Sequence, residues 1–291
     1  MDNTKSFLRH ISLCSGYAGI DIGLRRVLPN CRTVAYVEIE AFAIQNLVDK
    51  IETKELDAAP IHTNLKTFPF KEFRGCVDIL SGGFPCQPFS NAGTKQSTED
   101  PRHLFPYILA GIEKCQPAVV FLENVEGIIS SKTGDGESVL KYVLRSLEEV
   151  GYRATAGVFS ASEIGAPHQR KRVFIMADRT NIGCSGDLRE LADTSGTRTT
   201  TGLSKQKQWK KRHTEKSDNN SHRWPSRPNE PQYKWEEPRV FKVEPELGGA
   251  IDGSASRVDT NQNRTDRLRL LGNGVVPAVA ENAFRVLSQK L

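Results

Sequence analysis

The sequence CVDILSGGFPCQPFS (residues 76–90) joins an apolar stretch to a glycine pair and then sets a cysteine between two prolines. The apolar stretch predicts a short buried strand, and the glycine pair lets the backbone leave its end in conformations closed to other residues. The prolines exclude a helix through the loop that holds Cys86. Open α/β sheets place their chemistry on such loops, at the carboxyl ends of strands. A buried structural cysteine is the alternative interpretation.

The N-terminal half of the chain alternates strand and helix patterns. Residues 7–13 predict a strand, which is followed by a glycine-bearing turn (15–19) and a helix from about 20 to 28. A second strand, over residues 34–37, ends at Glu38. A carboxylate in that place can accept both ribose hydroxyls of a nucleotide-type cofactor. The glycines do not follow the GxGxxG pattern of dinucleotide sites, which argues against a nucleotide-dependent oxidoreductase.

Charged residues lie at the ends of two later strand patterns. The strand predicted over residues 119–122 ends at Glu123, and Arg170 and Arg172 precede the strand predicted over 173–177. Two arginines two positions apart on an extended segment point the same way, so they can converge on one site. Glu123 can face the same pocket as the cysteine loop. Taken alone, the carboxylate fits a salt bridge or a helix N-terminus better than a catalytic role.

The composition predicts a soluble globular protein. With 291 residues and 37% hydrophobic content, the chain can form one large domain and a smaller one. We find no apolar run near the roughly 18 residues of a membrane span and no signal peptide, so we expect a cytoplasmic protein without a membrane partner. The six cysteines show neither zinc-site pairing nor disulfide density, so we expect reduced thiols and no metal.

The positive charge is concentrated late in the chain. Between Arg198 and Lys242 lie 12 basic and 5 acidic residues, an excess of 7, whereas the whole chain carries +5. Apolar periodicity fails from about residue 178 to 266, and all three tryptophans lie there. Basic residues interleaved with aromatics suit contact with nucleic-acid phosphates and bases. A loosely folded, solvated basic insert would have the same composition.

In chain order, these motifs resemble those of the DNA cytosine C5-methyltransferases. The resemblance rests on GGFPCQPFS (82–90), FLENV (121–125), HQRKR (168–172) and RLRLLGNGVVP (267–277). His168 stands where the family usually has Gln, and both arginines of the family pattern are kept. The resemblance reverses the interpretation of Cys86 as merely structural, because the matching family loop carries the catalytic nucleophile.

The resemblance implies an α/β fold, with the Rossmann-like mixed sheet of S-adenosylmethionine-dependent methyltransferases and a small target-recognition region. It divides the chain into a catalytic and cofactor-binding domain (1–177), a basic target-recognition region (178–265) and a C-terminal return to the catalytic domain (266–291). The implied reaction transfers a methyl group from S-adenosyl-L-methionine to carbon 5 of a flipped cytosine in a specific duplex DNA sequence, through a covalent cysteine adduct. The implied catalytic residues are Cys86, Glu123, Arg170 and Arg172.

The resemblance also implies where the cofactor binds. Contacts are expected at Cys14, Ser15, Gly16, Tyr17, Ala18, Gly19, Glu38, Ile39, Asn64, Leu65, Gly83, Pro85, Leu104, Asn273 and Val275. The chain departs from the family at several positions: Ser12, Cys14 and Ala18 stand where Asp, Phe and Gly are usual. Asn64 replaces an Asp that accepts from the adenine amino group, and an Asn oxygen can still accept that bond.

The resemblance sets the expected partners and two alternative functions. Double-stranded DNA is the expected partner of a monomer in a bacterial cell or a phage-infected host, in the setting of DNA methylation and restriction-modification. One alternative is an RNA (tRNA) cytosine C5-methyltransferase. The other is a catalytically weak DNA-binding homologue, although such a module would be expected to have lost Cys86.

Overall fold

The computed structural model describes residues 7–85, 104–179 and 270–291. Cys86 and nearly all of the expected target-recognition region lie outside these described residues. Within them the strands are β1 (Leu8–Leu13), β2 (Cys31–Val37), β3 (Ile61–His62), β4 (Ile79–Gly83), β5 (Val119–Val125), β6 (Tyr152–Ser160) and β7 (Lys171–Arg179). The α-helices with both ends described are α1 (Gly19–Val27), α2 (Ala41–Glu52), α3 (Phe105–Cys115), α4 (Val139–Glu149) and α5 (Pro277–Ser288).

The strands of the described residues form one sheet in the order β3-β2-β1-β4-β5-β7-β6. Strands β1 to β5 run parallel, and β7 is antiparallel to both β5 and β6. The strand order reverses direction between β1 and β4, so the carboxyl ends of these two strands border the crevice where open α/β sheets bind ligands. The predicted Rossmann-like mixed sheet is confirmed.

Helices cover both faces of the sheet. In β5, Val120 and Leu122 pack in the cluster that includes α3 and α4, whereas Val119 and Phe121 pack in the cluster that includes α1 and α5. Because both faces are buried, the strand is apolar at every position before Glu123, and the sequence shows a continuous apolar run there. None of the described helices is long and apolar enough to cross a bilayer.

Strand ends differ from those that the apolar pattern predicts. Strand β4 begins at Ile79 rather than at Cys76, which is exposed, and it includes the glycine pair. Strand β5 includes Glu123, and β7 includes Arg172. The backbone ladder continues through residues with polar or absent side chains, so apolar periodicity alone does not find these ends. Both charged groups therefore lie on rigid strands.

The C-terminal segment packs on the catalytic sheet. Helix α5 lies along α1, where a Cβ on Gly23 would be 2.7 Å from the carbonyl oxygen of Pro277 and 2.8 Å from the Cβ of Ala280. The packing brings residues 274–275 to the turn after β1. Strand β7 ends at Arg179. The expected domain limits stay predictions.

Candidate active site

The turn between β1 and α1 has left-handed backbone at three positions. Gly16 has φ 54°, and two residues with side chains share this region, Cys14 at 49° and Ala18 at 66°. The Ser15 N–H donates to the Val37 carbonyl at 3.2 Å, and the Ala18 N–H donates to the Ser15 carbonyl at 2.8 Å. Left-handed backbone costs a residue with a Cβ about 1 kcal/mol. The turn therefore retains strain at position 18, where the family usually has glycine.

The turn is fitted closely against the C-terminal segment. The Tyr17 hydroxyl donates to the carbonyl oxygen of Val275 at 2.7 Å, and both residues are buried. A Cβ on Gly274 would overlap the Tyr17 ring, and one on Gly19 would overlap the Val275 carbonyl. The predicted cofactor contacts Tyr17, Gly19 and Val275 thus meet, although they come from opposite ends of the chain. Asn273 lies exposed beside them.

Glu38 connects the end of β2 to the same turn. Its Oε2 accepts from the Gly16 N–H at 2.7 Å, and its Oε1 accepts from the N–H groups of Ile39 and Glu40 at 2.8 and 2.9 Å. A carboxylate has about four acceptor sites, so about one remains for a ligand hydroxyl. Accepting both ribose hydroxyls requires one backbone bond to be released. Ile39, beside the buried carboxylate, exposes 69% of its surface.

The remaining residues predicted to bind the cofactor differ in their surroundings. Asn64 is exposed and its Oδ1 accepts from the Lys66 N–H at 2.9 Å, which leaves one acceptor site on that oxygen. Leu65 is buried, Pro85 is exposed just after β4, and Leu104 directly precedes α3. Burial, with Glu38 adding to it, raises the pKa of the Cys14 thiol to about 12. Cys14 therefore stays neutral and is not a second nucleophile.

Glu123 lies buried between the glycine end of β4 and Arg172. It pairs with Gly83 in the parallel register, and a Cβ at residue 83 would be 2.9 Å from its Oε2. The Arg172 Nε lies 3.0 Å from its Oε1, so the two side chains form an ion pair. Burial raises the pKa of Glu123 to about 7 against the opposing effect of Arg172 and Arg170. The carboxyl group can therefore hold a proton near neutral pH.

Arg170 reaches the C-terminal segment from the other side. Its Nη2 donates to the carbonyl oxygens of Gly272, at 2.7 Å, and Gly274. Its Nε is buried and makes no hydrogen bond within the described residues. Burial and the neighbouring Arg172 lower the pKa of the guanidinium. Arg172 contacts Glu123, and Arg170 is near enough to affect its charge. Arg170 also holds backbone carbonyls, which the sequence did not indicate.

A cavity opens beside these arginines. It has a volume of about 580 Å³ and is lined by Val125, Glu126, Gly127, His168, Gln169, Arg170, Lys171 and Arg172. The lining joins the end of β5 to the segment that enters β7, so Arg170 and Arg172 border this space, whereas Glu123 is not part of its lining. No group of three or more potential metal ligands occurs within the described ranges.

The sequence model of the C-5 cytosine-specific DNA methylase family matches residues 8–217, which is more than half of the chain. The chain belongs to this family. The match includes the glycine turn, the cysteine loop and the strands that carry Glu123 and Arg172. The resemblance inferred from the motifs is thereby confirmed.

Relatives of this methylase match it over part of its length. Type II methyltransferase M.MspI of Moraxella sp is 41% identical over 102 residues, 34% of this chain and 24% of that protein. M.NgoMIV of Neisseria gonorrhoeae is 30% identical over 167 residues, 57% of this chain and 50% of that protein. A solved DNMT2 mutant of Spodoptera frugiperda aligns with a TM-score of 0.49 and 21% identity over 60% of this chain and 51% of that one. The chain spans half or less of the length of these two curated relatives.

Asn124 is a candidate site residue that the sequence motifs did not identify. Its Nδ2 donates to the Phe84 carbonyl at 2.9 Å, and its Oδ1 accepts from the Val125 N–H at 2.9 Å. Both Asn124 and Phe84 are buried. The amide therefore fixes the backbone of this methylase two residues before Cys86. The only sequence signal was a polar residue next to Glu123 in an otherwise apolar strand.

Proposed function

We propose that this chain is a DNA cytosine C5-methyltransferase that uses S-adenosyl-L-methionine. The observation that carries the proposal is the placement of Glu123. It is buried beside Arg172 and lies against Gly83, the last residue of the strand that leads to Cys86. A carboxyl group with its pKa raised to about 7 can present a proton to a base at neutral pH. Family membership supports the same assignment.

The residues of the crevice fit the proposed cofactor. Glu38 keeps about one acceptor site for a hydroxyl, and the exposed side chain of Ile39 offers an apolar surface next to it. Because Gly19 has no side chain, the turn packs directly against the Val275 carbonyl. When bound, the cofactor supplies a methyl group on a positively charged sulfur. Glu38, Ile39 and the turn would hold its nucleoside and amino-acid parts.

The proposed reaction begins with the thiolate of Cys86. Its sulfur bonds to carbon 6 of cytosine, and the electron pair of the 5,6 double bond moves to carbon 5. The cofactor, held by Glu38, Ile39 and the glycine turn, would supply the methyl group that carbon 5 takes. Loss of the carbon 5 proton to a base and expulsion of the thiolate restore the aromatic ring. Cys86 is regenerated, so the reaction does not consume the thiol.

Glu123 and Arg172 assist this addition in the proposal. As the thiolate adds, negative charge moves into the ring toward nitrogen 3, and a protonated Glu123 stabilises that charge by donating a hydrogen bond. In the proposal, Arg172 and Arg170 donate hydrogen bonds to the exocyclic oxygen of the base. Their positive charge also stabilises the thiolate form of Cys86. The target base has to leave the duplex to reach these groups, at a cost of a few kcal/mol.

The proposed partners follow from this chemistry. Double-stranded DNA is the substrate, the region 178–265 selects the sequence, and the enzyme acts as a monomer in a bacterial cell or a phage-infected host. The similarity to type II methyltransferases supports a place in restriction-modification. We propose no metal, because the mechanism requires none.

The test uses methyl-labelled S-adenosyl-L-methionine with plasmid DNA or tRNA as acceptor. Wild type is expected to label DNA, Cys86→Ser is expected to label nothing, and Cys76→Ser, which alters an exposed cysteine, is expected to match wild type. DNA containing 5-fluorocytosine is expected to trap a covalent complex with wild type only. Labelling of tRNA instead of DNA would establish the RNA enzyme, and undiminished labelling by Cys86→Ser would remove the proposed nucleophile.

A further inference from the structure

Lys50 is a fully buried lysine next to the cofactor turn. It lies in the last turn of α2, and its side chain is 0% exposed. Its Nζ donates to the carbonyl oxygen of Tyr17 at 2.8 Å and lies 5.3 Å from the centroid of the Tyr17 ring. Burying an ammonium group is costly unless specific partners compensate for the lost water. The hydrogen bond and the ring contact of Nζ are both to Tyr17, and the carboxylates of Glu55 and Asp21 add electrostatic stabilisation of the ammonium group.

The carbonyl that Lys50 holds belongs to the strained part of the turn. Tyr17 lies between Gly16 at φ 54° and Ala18 at φ 66°. A left-handed residue with a Cβ persists only where its surroundings hold it in place. The Gly16 N–H is held by Glu38, and the Tyr17 carbonyl is held by Lys50. A hydrogen bond from a charged donor is about twice as strong as a neutral one, so Lys50 is a strong anchor for this carbonyl.

Tyr17 extends the effect of Lys50 across the site. Its hydroxyl donates to the Val275 carbonyl, and its ring packs against Gly274. The Gly274 carbonyl accepts in turn from Arg170. A continuous series of contacts therefore joins Lys50 to Arg170, which lines the cavity. A shift of Tyr17 would move the segment that closes the cofactor crevice on one side and contacts Arg170 on the other.

We propose that Lys50 is a positioning residue for the cofactor site. Its ammonium group fixes the peptide between Tyr17 and Ala18, so that the turn keeps its ligand-binding shape. Through Tyr17 it also sets the position of residues 274–275. This inference rests on the proposed use of S-adenosyl-L-methionine. Burial lowers the pKa of Lys50 to about 8 against the effects of Glu55 and Asp21, so the group is charged at neutral pH.

The test compares two lysines that each lie in the last turn of a helix. Lys50→Met removes the donor and the charge from α2, and Lys114→Met makes the same change on the exposed surface of α3. Lys50→Gln keeps an amide donor on a side chain one atom shorter. The dissociation constant for S-adenosyl-L-homocysteine, which binds without turnover, is measured by calorimetry below the melting temperature of every variant. Thermal melting is recorded for each.

Lys50→Met is expected to weaken binding of S-adenosyl-L-homocysteine about tenfold or more, since a charged hydrogen bond is lost. Lys50→Gln is expected to show a smaller loss, and Lys114→Met to bind as wild type does. A merely structural lysine would lower the melting temperature of both Lys50 variants without changing the affinity of the folded protein, and that result would overturn the inference. Should Lys50→Met not fold, an unchanged affinity in Lys50→Gln would overturn it as well. Failure of wild type itself to bind would instead refute the proposed function.

Discussion

Gly83 and Glu123 are paired residues of neighbouring parallel strands, and the missing side chain of one makes room for the carboxylate of the other. A Cβ on residue 83 would lie 2.9 Å from Oε2 of Glu123. The carboxylate can therefore lie directly against the strand that leads to the nucleophile loop. A glycine is needed here for close approach rather than for an unusual backbone angle.

Gly83→Ala is expected to reduce methylation at least tenfold while leaving the fold intact. The added methyl group meets the end of a flexible side chain, so Glu123 can move away at little cost in stability, but its carboxyl group is then misplaced for the base. The turnover number, measured at saturating DNA and cofactor, checks this. Gly134→Ala is the control, because a Cβ there meets nothing within 4 Å. Equal activity of both variants would show that the carboxylate position is not critical.

The titration of Glu123 predicts a pH dependence of stability. Burial raises its pKa in the folded protein from 4.5 to about 7, so the folded state keeps a proton that the unfolded state releases between these values. The free energy of unfolding therefore falls as pH rises from about 4.5 to about 7. The contribution of Glu123 to this fall is on the order of 3 kcal/mol, and the variant Glu123→Gln lacks it. Urea unfolding of both proteins at pH 5 and pH 7.5 measures it. Parallel pH profiles would contradict a raised pKa.

Glu38→Gln is expected to weaken cofactor binding by about 1 to 3 kcal/mol and to lower stability by a similar amount. The amide keeps one acceptor oxygen where the carboxylate serves three backbone N–H groups, so at least one of them loses its partner. Calorimetry with S-adenosyl-L-homocysteine and urea unfolding give the two quantities. Glu52→Gln, at the exposed end of α2, is expected to change neither. Unchanged binding would place the nucleoside elsewhere.

The basic region is expected to choose the target sequence. Neutralising Lys210 and Lys211 together should weaken binding to all duplexes alike and flatten its salt dependence, because phosphate contacts release counterions without reading bases. Exchanging residues 178–266 for the same region of a relative with known specificity should change which cytosines are methylated. Bisulfite sequencing of a methylated plasmid reads the outcome. An active chimera that marks the original sites would locate specificity outside this region.

The sequence by itself determined the order of elements and most of the candidate residues. Apolar runs and the turn at residues 15–19 predicted the alternation of strands and helices, because burial on two faces of a sheet imposes a local pattern. The ordered motifs predicted the family and placed Glu123 and Arg172 in one site. The inferences about single elements use residues that are close in the chain, where spacing alone constrains geometry, whereas the placement of Glu123 with Arg172 came from the family resemblance.

Tertiary structure decided how the site works. Nothing local indicates that Lys50 donates to Tyr17, that Asn124 holds the Phe84 carbonyl, or that Arg170 holds the C-terminal segment, since each contact joins residues far apart in sequence. The raised pKa of Glu123 likewise depends on the burial that β4, β5 and β7 create together. Desolvation and long-range hydrogen bonds exist only after the strands have paired, so composition and periodicity do not contain them.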